Sequence, residues 1–429
     1  MMSQFTPEQL RLHDMRSTWD ITVKVFTTYL ILLAAFFVLM LATSAIPVTA
    51  IQESLVTSLP TIEQEGDYPT HGPSITMQDN FTDCLMLNIA AGIDGSHPVS
   101  GAMECTLHLA DDGNIITSTR GLLDGQAVDS RPYARYWHGN QVTLRPLLCV
   151  MGYRGIRVLN YVLLGLLALA CILLGYRQVS RSFAVVLTLG LVAVTGWLVP
   201  LNMQFTTCFL IMLVAMLAIM LMPRRLHSTG AACVAFFVIG GVTQFFDLLT
   251  TPVITLGLPL IVWCMMHKPE RACRMVILLS LMWGLGYASL WASKWVLASI
   301  ITGHDIIGDA MSSVRLRSVG GAAAEQGLTA TAIYKYYWSM LASRGVAALG
   351  ALLVAIVAVI VAYRRWGRPY RIINAHLWLL LVAAIPVAWT LVLAQHTFLH
   401  HFFTWRIVLV TVVALLLFVC HTLSFKKTI

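Results

Sequence analysis

The chain has 429 residues, 58% of them apolar and only 11% charged, with a mean hydropathy of +0.76. A soluble domain carries about 25% charged residues to cover its surface, so a soluble globular protein is excluded. The formal net charge of +8 would suit nucleic acid, but the bases lie between long apolar blocks, where they act as orientation signals, and no nucleic-acid partner is expected.

Each apolar block is long enough to cross about 30 Å of hydrocarbon. Backbone groups in lipid must be satisfied within the segment, so the blocks are read as helices, and the alternating strands of a barrel are missing from the sequence. The expected fold is an all-α transmembrane, polytopic helical bundle of about ten helices. A cytosolic segment, 1–20, precedes a first transmembrane helix at 21–48. Its basic approach (Arg11, Arg16, Lys24) invites a signal-peptide reading, but the apolar core is too long for one, and an uncleaved anchor is expected. An extracytoplasmic loop subdomain follows at 49–154. The remaining bundle, 155–424, supplies spans near 157–176, 182–200, 205–223, 230–248, 252–267, 274–300, 337–363, 373–395 and 404–424. A second outer loop covers 301–336, rich in Gly, Ala and Ser, and a cytosolic tail closes the chain at 425–429.

The connectors set the expected orientation. Short basic ones (Arg177–Arg181, Arg224–Arg225, Lys268–Arg274, Arg364–Arg371 and the tail lysines) hold, with the N-terminus, 16 of the 28 Lys and Arg residues. Positive-inside bias makes that face cytosolic. Both termini then lie inside, which requires an even number of spans. Of the acidic residues, only Glu8, Asp14, Asp20 and Glu270 fall on that side. No cytosolic connector has room for a nucleotide-binding domain, and no phosphate-binding Gly-rich loop is present.

Cys84 and Cys105 share the first outer loop, where a bridge is conceivable, with Cys149 as a competitor. The other six cysteines lie in or beside helices and read as small apolar filler.

Three groups of residues stand out chemically. Asp79-Asn-Phe-Thr-Asp83 places two carboxylates four apart, on one face if helical, where they can hold a divalent cation or divide acid and base roles. The competing reading makes Asp79 the N-cap of a helix running through Cys84-Leu-Met-Leu. Next, Arg131-Pro-Tyr-Ala-Arg135-Tyr136-Trp137-His138-Gly139, followed by Arg145, interleaves guanidinium groups with rings, which suits a sugar or lipid phosphate. Its plainer alternative is an interfacial aromatic belt. Finally, Asp247, Lys294, His396, His400 and Arg406 are expected at one outer level although they come from different helices. Ionisable residues in membrane helices are costly and functional by default; mutual pairing for stability is the alternative. His401 is left out of this set. The cytosolic half of the bundle has few such residues, which favours an outward-opening site and chemistry over transport.

An even-numbered bundle with a large first outer loop carrying Asp residues resembles the GT-C superfamily of membrane glycosyltransferases. The resemblance covers most of the chain in layout. It implies an outward cavity for a polyprenyl-phosphate-linked sugar, and inverting transfer to a glycan or lipid acceptor of the cell envelope. Asp79 or Asp83 would be the general base, Arg131, Arg135, Lys294 and Arg406 would hold donor phosphate, and Tyr136, Trp137, His138, His396 and His400 would contact sugar or acceptor. Arg145 and Asp247 complete the expected substrate-binding set. A metal requirement is left open, Asp79 and Asp83 being the residues that would hold a divalent cation. In this chain the acidic pair lies about thirty residues past the first helix rather than immediately after it. The phrases around Asp79, Tyr133 and His396 are also similar to those of bacterial polytopic membrane proteins, a likeness that implies no activity; the compact loops and the lack of targeting motifs lead to the expectation of a multi-pass protein of a bacterial plasma membrane. Two rivals remain: a polysaccharide polymerase or ligase, which needs outer-loop Arg and His but no essential carboxylate, and a lipid or glycan transporter.

Overall fold

A computed structural model describes residues 7–71, 76–93, 95–317, 335 and 369–422. Among them the chain is almost wholly helical, with one two-stranded sheet. Seven helices are long and apolar enough to cross a membrane: Thr18–Ser44, Tyr153–Val179, Met203–Leu221, Thr229–Phe246, Ala272–Thr302, Ala375–Val392 and His401–Thr422. Two shorter apolar helices, Arg181–Ala193 and Ile254–His267, stand where further spans are expected. The span expected at 337–363, residues 318–334 of the second loop and the tail 425–429 lie outside the described residues. The architecture is that of an all-α, multi-pass membrane bundle.

In chain order, α1 (Pro7–Ser44) leads into α2 (Val48–Glu65), α3 (Asn80–Gly92) and α4 (Pro98–Glu104). Strand β1 (Leu107–Leu109) pairs antiparallel with β2 (Asp129–Arg131) around α5 (Ile115–Leu123). Helix α6 (Asn140–Leu148) then reaches the bundle helices α7 (Tyr153–Leu174), α8 (Arg181–Ala193), α9 (Met203–Leu221), α10 (Thr229–Phe246), α11 (Ile254–His267) and α12 (Ala272–Thr302). After α13 (Ile306–Arg317) come α14 (Pro369–Val392), α15 (Ala394–Leu399) and α16 (His401–Thr422).

Local chemistry explains several boundaries. Ser180 and Ser228 cap α8 and α10 by accepting the amides of Phe183 and Ala231. The span expected at 182–200 stops short because Thr195 is left-handed (φ 54°) and the chain tightens into a 3-10 turn containing Pro200. Helix α12 ends at Gly303, whose φ of 73° suits glycine. Residues 306–317, expected as loop, form α13 because Asp305 accepts the amide of Gly308 and opens a helical turn.

Two apolar clusters organise the packing. One fills the bundle, with Phe183, Met212, Phe236, Trp263 and Leu409 at its centre. The other joins the segment between α1 and α7 to the helix ends: Leu55, Leu87, Met103 and Trp137 pack with Phe36, Phe245 and Leu290. Helices α10 and α12 touch backbone to backbone, since a Cβ on Gly240 would lie 2.0 Å from the Trp283 carbonyl oxygen and one on Gly286 2.1 Å from that of Phe237. Small residues at such crossings are how helices in lipid gain contact, because lipid tails offer no hydrophobic drive to associate.

Candidate functional site

Asp79 is an N-cap. Its carboxylate accepts the Thr82 amide and hydroxyl, both at 2.9 Å, and the Gln204 side-chain amide. Asp83, one turn on, caps a different helix: it accepts the backbone N–H groups of Met203 (2.9 Å) and Gln204 (3.3 Å), which open α9. Tyr153 donates its hydroxyl to Asp83 at 2.6 Å and itself accepts from Arg157. Arg157 completes the cluster through a two-pronged ion pair with Glu65 at 2.7 and 2.8 Å. The pair therefore locks α3 onto α9 and α7. Burial pushes Asp79 up to about 6 and Asp83 up to about 7, against donors that pull both down. Both carboxylates are sealed from solvent, at 1% and 0% exposure. Among the described residues no three His, Cys, Asp or Glu gather to hold a metal ion.

The outer-level set does not form one constellation. Lys294 donates to the Met103 carbonyl at 2.6 Å, in the last turn of α4, and lies 5.6 Å from the Trp137 ring. Arg145 likewise donates to the carbonyls of Thr43 (3.1 Å), Ile46 (2.7 Å) and Ala90, where α1 and α3 end. Both cations satisfy orphan helix carbonyls. Trp137 anchors the same junction by donating Nε1 to the Leu290 carbonyl at 2.8 Å. His138, left-handed at φ 56°, pairs its Nε2 with the Tyr133 carbonyl at 2.8 Å, and burial pushes it down to about 3, so the ring is neutral. Arg131 closes β2 with its side chain exposed. Arg406 is fully buried over the Phe205 ring (4.5 Å), with Thr195 as its nearest polar contact at 3.5 Å and no partner for Nε or Nη1 among the described residues.

What does converge is a cavity of about 300 Å³ at the α13 end of α12. Arg135 and Arg317 line it with Tyr136, Tyr287, Trp291 and Trp295. Its order comes from the backbone: Trp291 and Trp295 both donate Nε1 to the Arg135 carbonyl, at 2.6 and 3.0 Å. Tyr136 stacks on Trp291 (5.9 Å, 22°) and accepts from Arg317. Arg135 lies over Tyr133 and pairs loosely with Asp309 at 3.4 Å. Deeper in, Trp283 stacks on Tyr287, and Trp389 meets both edge-on.

Asp247 supports this cavity from behind. Tyr287 donates its hydroxyl to Asp247 at 3.2 Å, and Asp247 also accepts the Thr250 amide (2.9 Å) and hydroxyl (2.8 Å). The resulting turn holds Leu249 at φ 64°, and the Leu249 carbonyl meets His396 Nε2 at 2.9 Å. His396 and His400 lie 4.7 Å apart, ring to ring. Thus Arg135 and Tyr136 line the cavity, Asp247 and His396 buttress it through Tyr287 and Leu249, and Asp79, Asp83, Arg145, Lys294 and Trp137 make their contacts elsewhere. Arg317, Trp283 and Trp389 were missed. The four-residue spacing of Trp283, Tyr287, Trp291 and Trp295 was a usable signal, since i and i+4 share a helix face; nothing local marked Arg317.

Cys84 and Cys105 are unbridged: Cys84 bonds the Ile115 carbonyl at 3.7 Å and Cys105 the Ala102 carbonyl at 3.4 Å. Burial pushes their thiols up to about 12 and about 11, away from thiolate reactivity.

No family model, curated protein or solved structure matches this chain.

Proposed function

We propose that the protein is a plasma-membrane glycosyltransferase of GT-C-like layout, using a polyprenyl-phosphate-linked sugar at the outer face. The observation that carries this reading is the cavity where Arg135 and Arg317 stand among Tyr136, Tyr287, Trp291 and Trp295. Guanidinium groups suit a phosphate, aromatic faces suit a sugar ring, and a membrane-embedded wall suits a polyprenyl tail.

The base is assigned differently from the first expectation. Asp79 and Asp83 each satisfy a helix start and do not line the cavity. Asp247 is one hydrogen bond behind a cavity-lining hydroxyl. In the proposed step an acceptor hydroxyl attacks the anomeric carbon, forming the new glycosidic bond as the bond to the donor phosphate breaks. The acceptor proton passes to the Tyr287 oxygen while Tyr287 passes its own to Asp247, and Arg135 and Arg317 stabilise the departing phosphate.

The test is transfer from a panel of radiolabelled polyprenyl-phosphate sugars in proteoliposomes. Arg135→Gln and Arg317→Gln are expected to lower transfer at least tenfold each, on the order of one charge-assisted contact. Asp247→Asn is expected to abolish it, and Asp79→Asn to leave it measurable. Product lost with Asp79→Asn or Asp83→Asn in a folded protein would return the base to the acidic pair. The enclosure of that pair also favours a second reading, a polymerase or ligase without an essential carboxylate; product surviving all three Asn changes would select it. No product from any donor would sink the enzyme reading.

A further inference from the structure

A second cavity is at the other end of the bundle. It measures about 770 Å³ and forms where α11 ends and α12 begins, against the start of α8, the early residues of α14 and the end of α16. From Arg274 to Trp291 helix α12 runs 17 residues, about 26 Å at 1.5 Å per residue, so the two cavities open at different levels of the bundle.

Its lining divides by chemistry. Lys268, Arg271 and Arg274 stand exposed at the rim, with Glu270 the one carboxylate among the lining residues. Cys264 and Trp378 form a buried apolar floor. On one wall the His376 and His421 rings stack at 4.8 Å and 21°, bringing two more nitrogen-rich side chains to the same space. Arg271, the residue preceding α12, carries no acceptor with which to cap the helix, so α12 begins beside three cations with no N-cap side-chain bond. Cations used only to anchor helix ends spread into the interface and need no cavity; these surround a space far larger than a phosphate.

We propose that this cavity binds a phosphate group, carried either by an anionic lipid of the adjoining leaflet or by a soluble phosphate compound. Lys268, Arg271 and Arg274 contact the phosphate oxygens, His376 and His421 donate beneath them, and the apolar floor receives what the phosphate is attached to. The assignment is independent of glycosyl transfer, since no residue is shared between the two cavities.

The purified full chain, in nanodiscs of phosphatidylcholine alone, is titrated with inorganic phosphate by calorimetry, and nanodiscs doped with phosphatidic acid are analysed for lipid co-purifying through delipidation. Three proteins are compared: wild type, Arg271→Gln/Arg274→Gln, and Arg224→Gln/Arg225→Gln, which removes the same charge from a basic connector that does not line the cavity. Saturable binding of either probe is expected, weakened about tenfold or more by the first pair and unchanged by the second. Binding of phosphatidic acid alone names a lipid as the source; binding of inorganic phosphate names a soluble one. Equal weakening by both double variants would reduce the effect to surface charge and overturn the proposal, as would the failure of both probes to bind saturably. His376→Gln, which leaves the rim charges in place, is expected to weaken binding with an unchanged melting temperature.

Discussion

A carboxylate inside a membrane protein must find donors, and Asp83 finds them on two other helices. Its oxygens face the fixed backbone N–H groups of Met203 and Gln204 and the Tyr153 hydroxyl. Asp83→Asn therefore turns an acceptor into a donor facing donors and is expected to destabilise the fold by about 2 kcal/mol. Asp79→Asn retains capping ability and is expected to cost under about 1 kcal/mol. Urea unfolding in detergent separates the two, and equal losses would count against this division. Asp79 also predicts a pH dependence. Its partners, the Thr82 hydroxyl and Gln204 amide, can reorient around a proton, and burial raises it from 3.8 to about 6. The folded chain then holds a proton between those values that the unfolded chain has released, so stability falls as pH rises from about 4 to about 6. Melting temperature against pH is expected to show this slope in wild type and a shallower one in Asp79→Asn, the remainder belonging to Asp83, which burial raises to about 7. These residues were legible in the sequence as a pair at helical spacing, and the N-cap alternative for Asp79 was legible too. That Asp83 would cap α9, 120 positions away, was not, because such a contact depends on where two helices meet.

At the scale of elements, buried cations and glycines decide how helices join. Arg145 ends two helices at once, through Thr43, Ile46 and Ala90, and Lys294 ends α4 through Met103. Both look like ligand-binding cations in the sequence, since a lone charge near an apolar run gives no hint that its partner is a carbonyl. The α10–α12 crossing makes a sharper forecast. Gly240→Ala places a methyl 2.0 Å from the Trp283 carbonyl oxygen, backbone that cannot swing aside. It is expected to destabilise by about 2 kcal/mol or more. Gly165→Ala, with nothing within 4 Å, is expected to be neutral or to stabilise by about 0.5–1 kcal/mol through helix propensity. Thermal unfolding of the two variants checks the contrast; similar melting temperatures would mean that α10 and α12 do not cross at these glycines.

For the whole molecule, orientation is the property on which the outer-face proposal depends. The basic connectors and the acidic residues argue that the segment between α1 and α7 lies outside. Cys149, exposed at the end of α6, reports on it directly. In a variant retaining only that cysteine, a membrane-impermeant maleimide is expected to label intact cells. Labelling only after permeabilisation would reverse the bundle and withdraw the outer-face reading. The sequence by itself determined that the chain is all-α and that it crosses a membrane more than once. Those follow from composition and period, which act within one segment. Only the tertiary structure decided that Asp79 and Asp83 seal a helix junction, that Lys294 and Arg145 hold carbonyls, and that Arg135 meets Arg317 across an aromatic cavity. The physical reason is that a buried polar group is defined by its partner, and each partner here comes from a distant part of the chain.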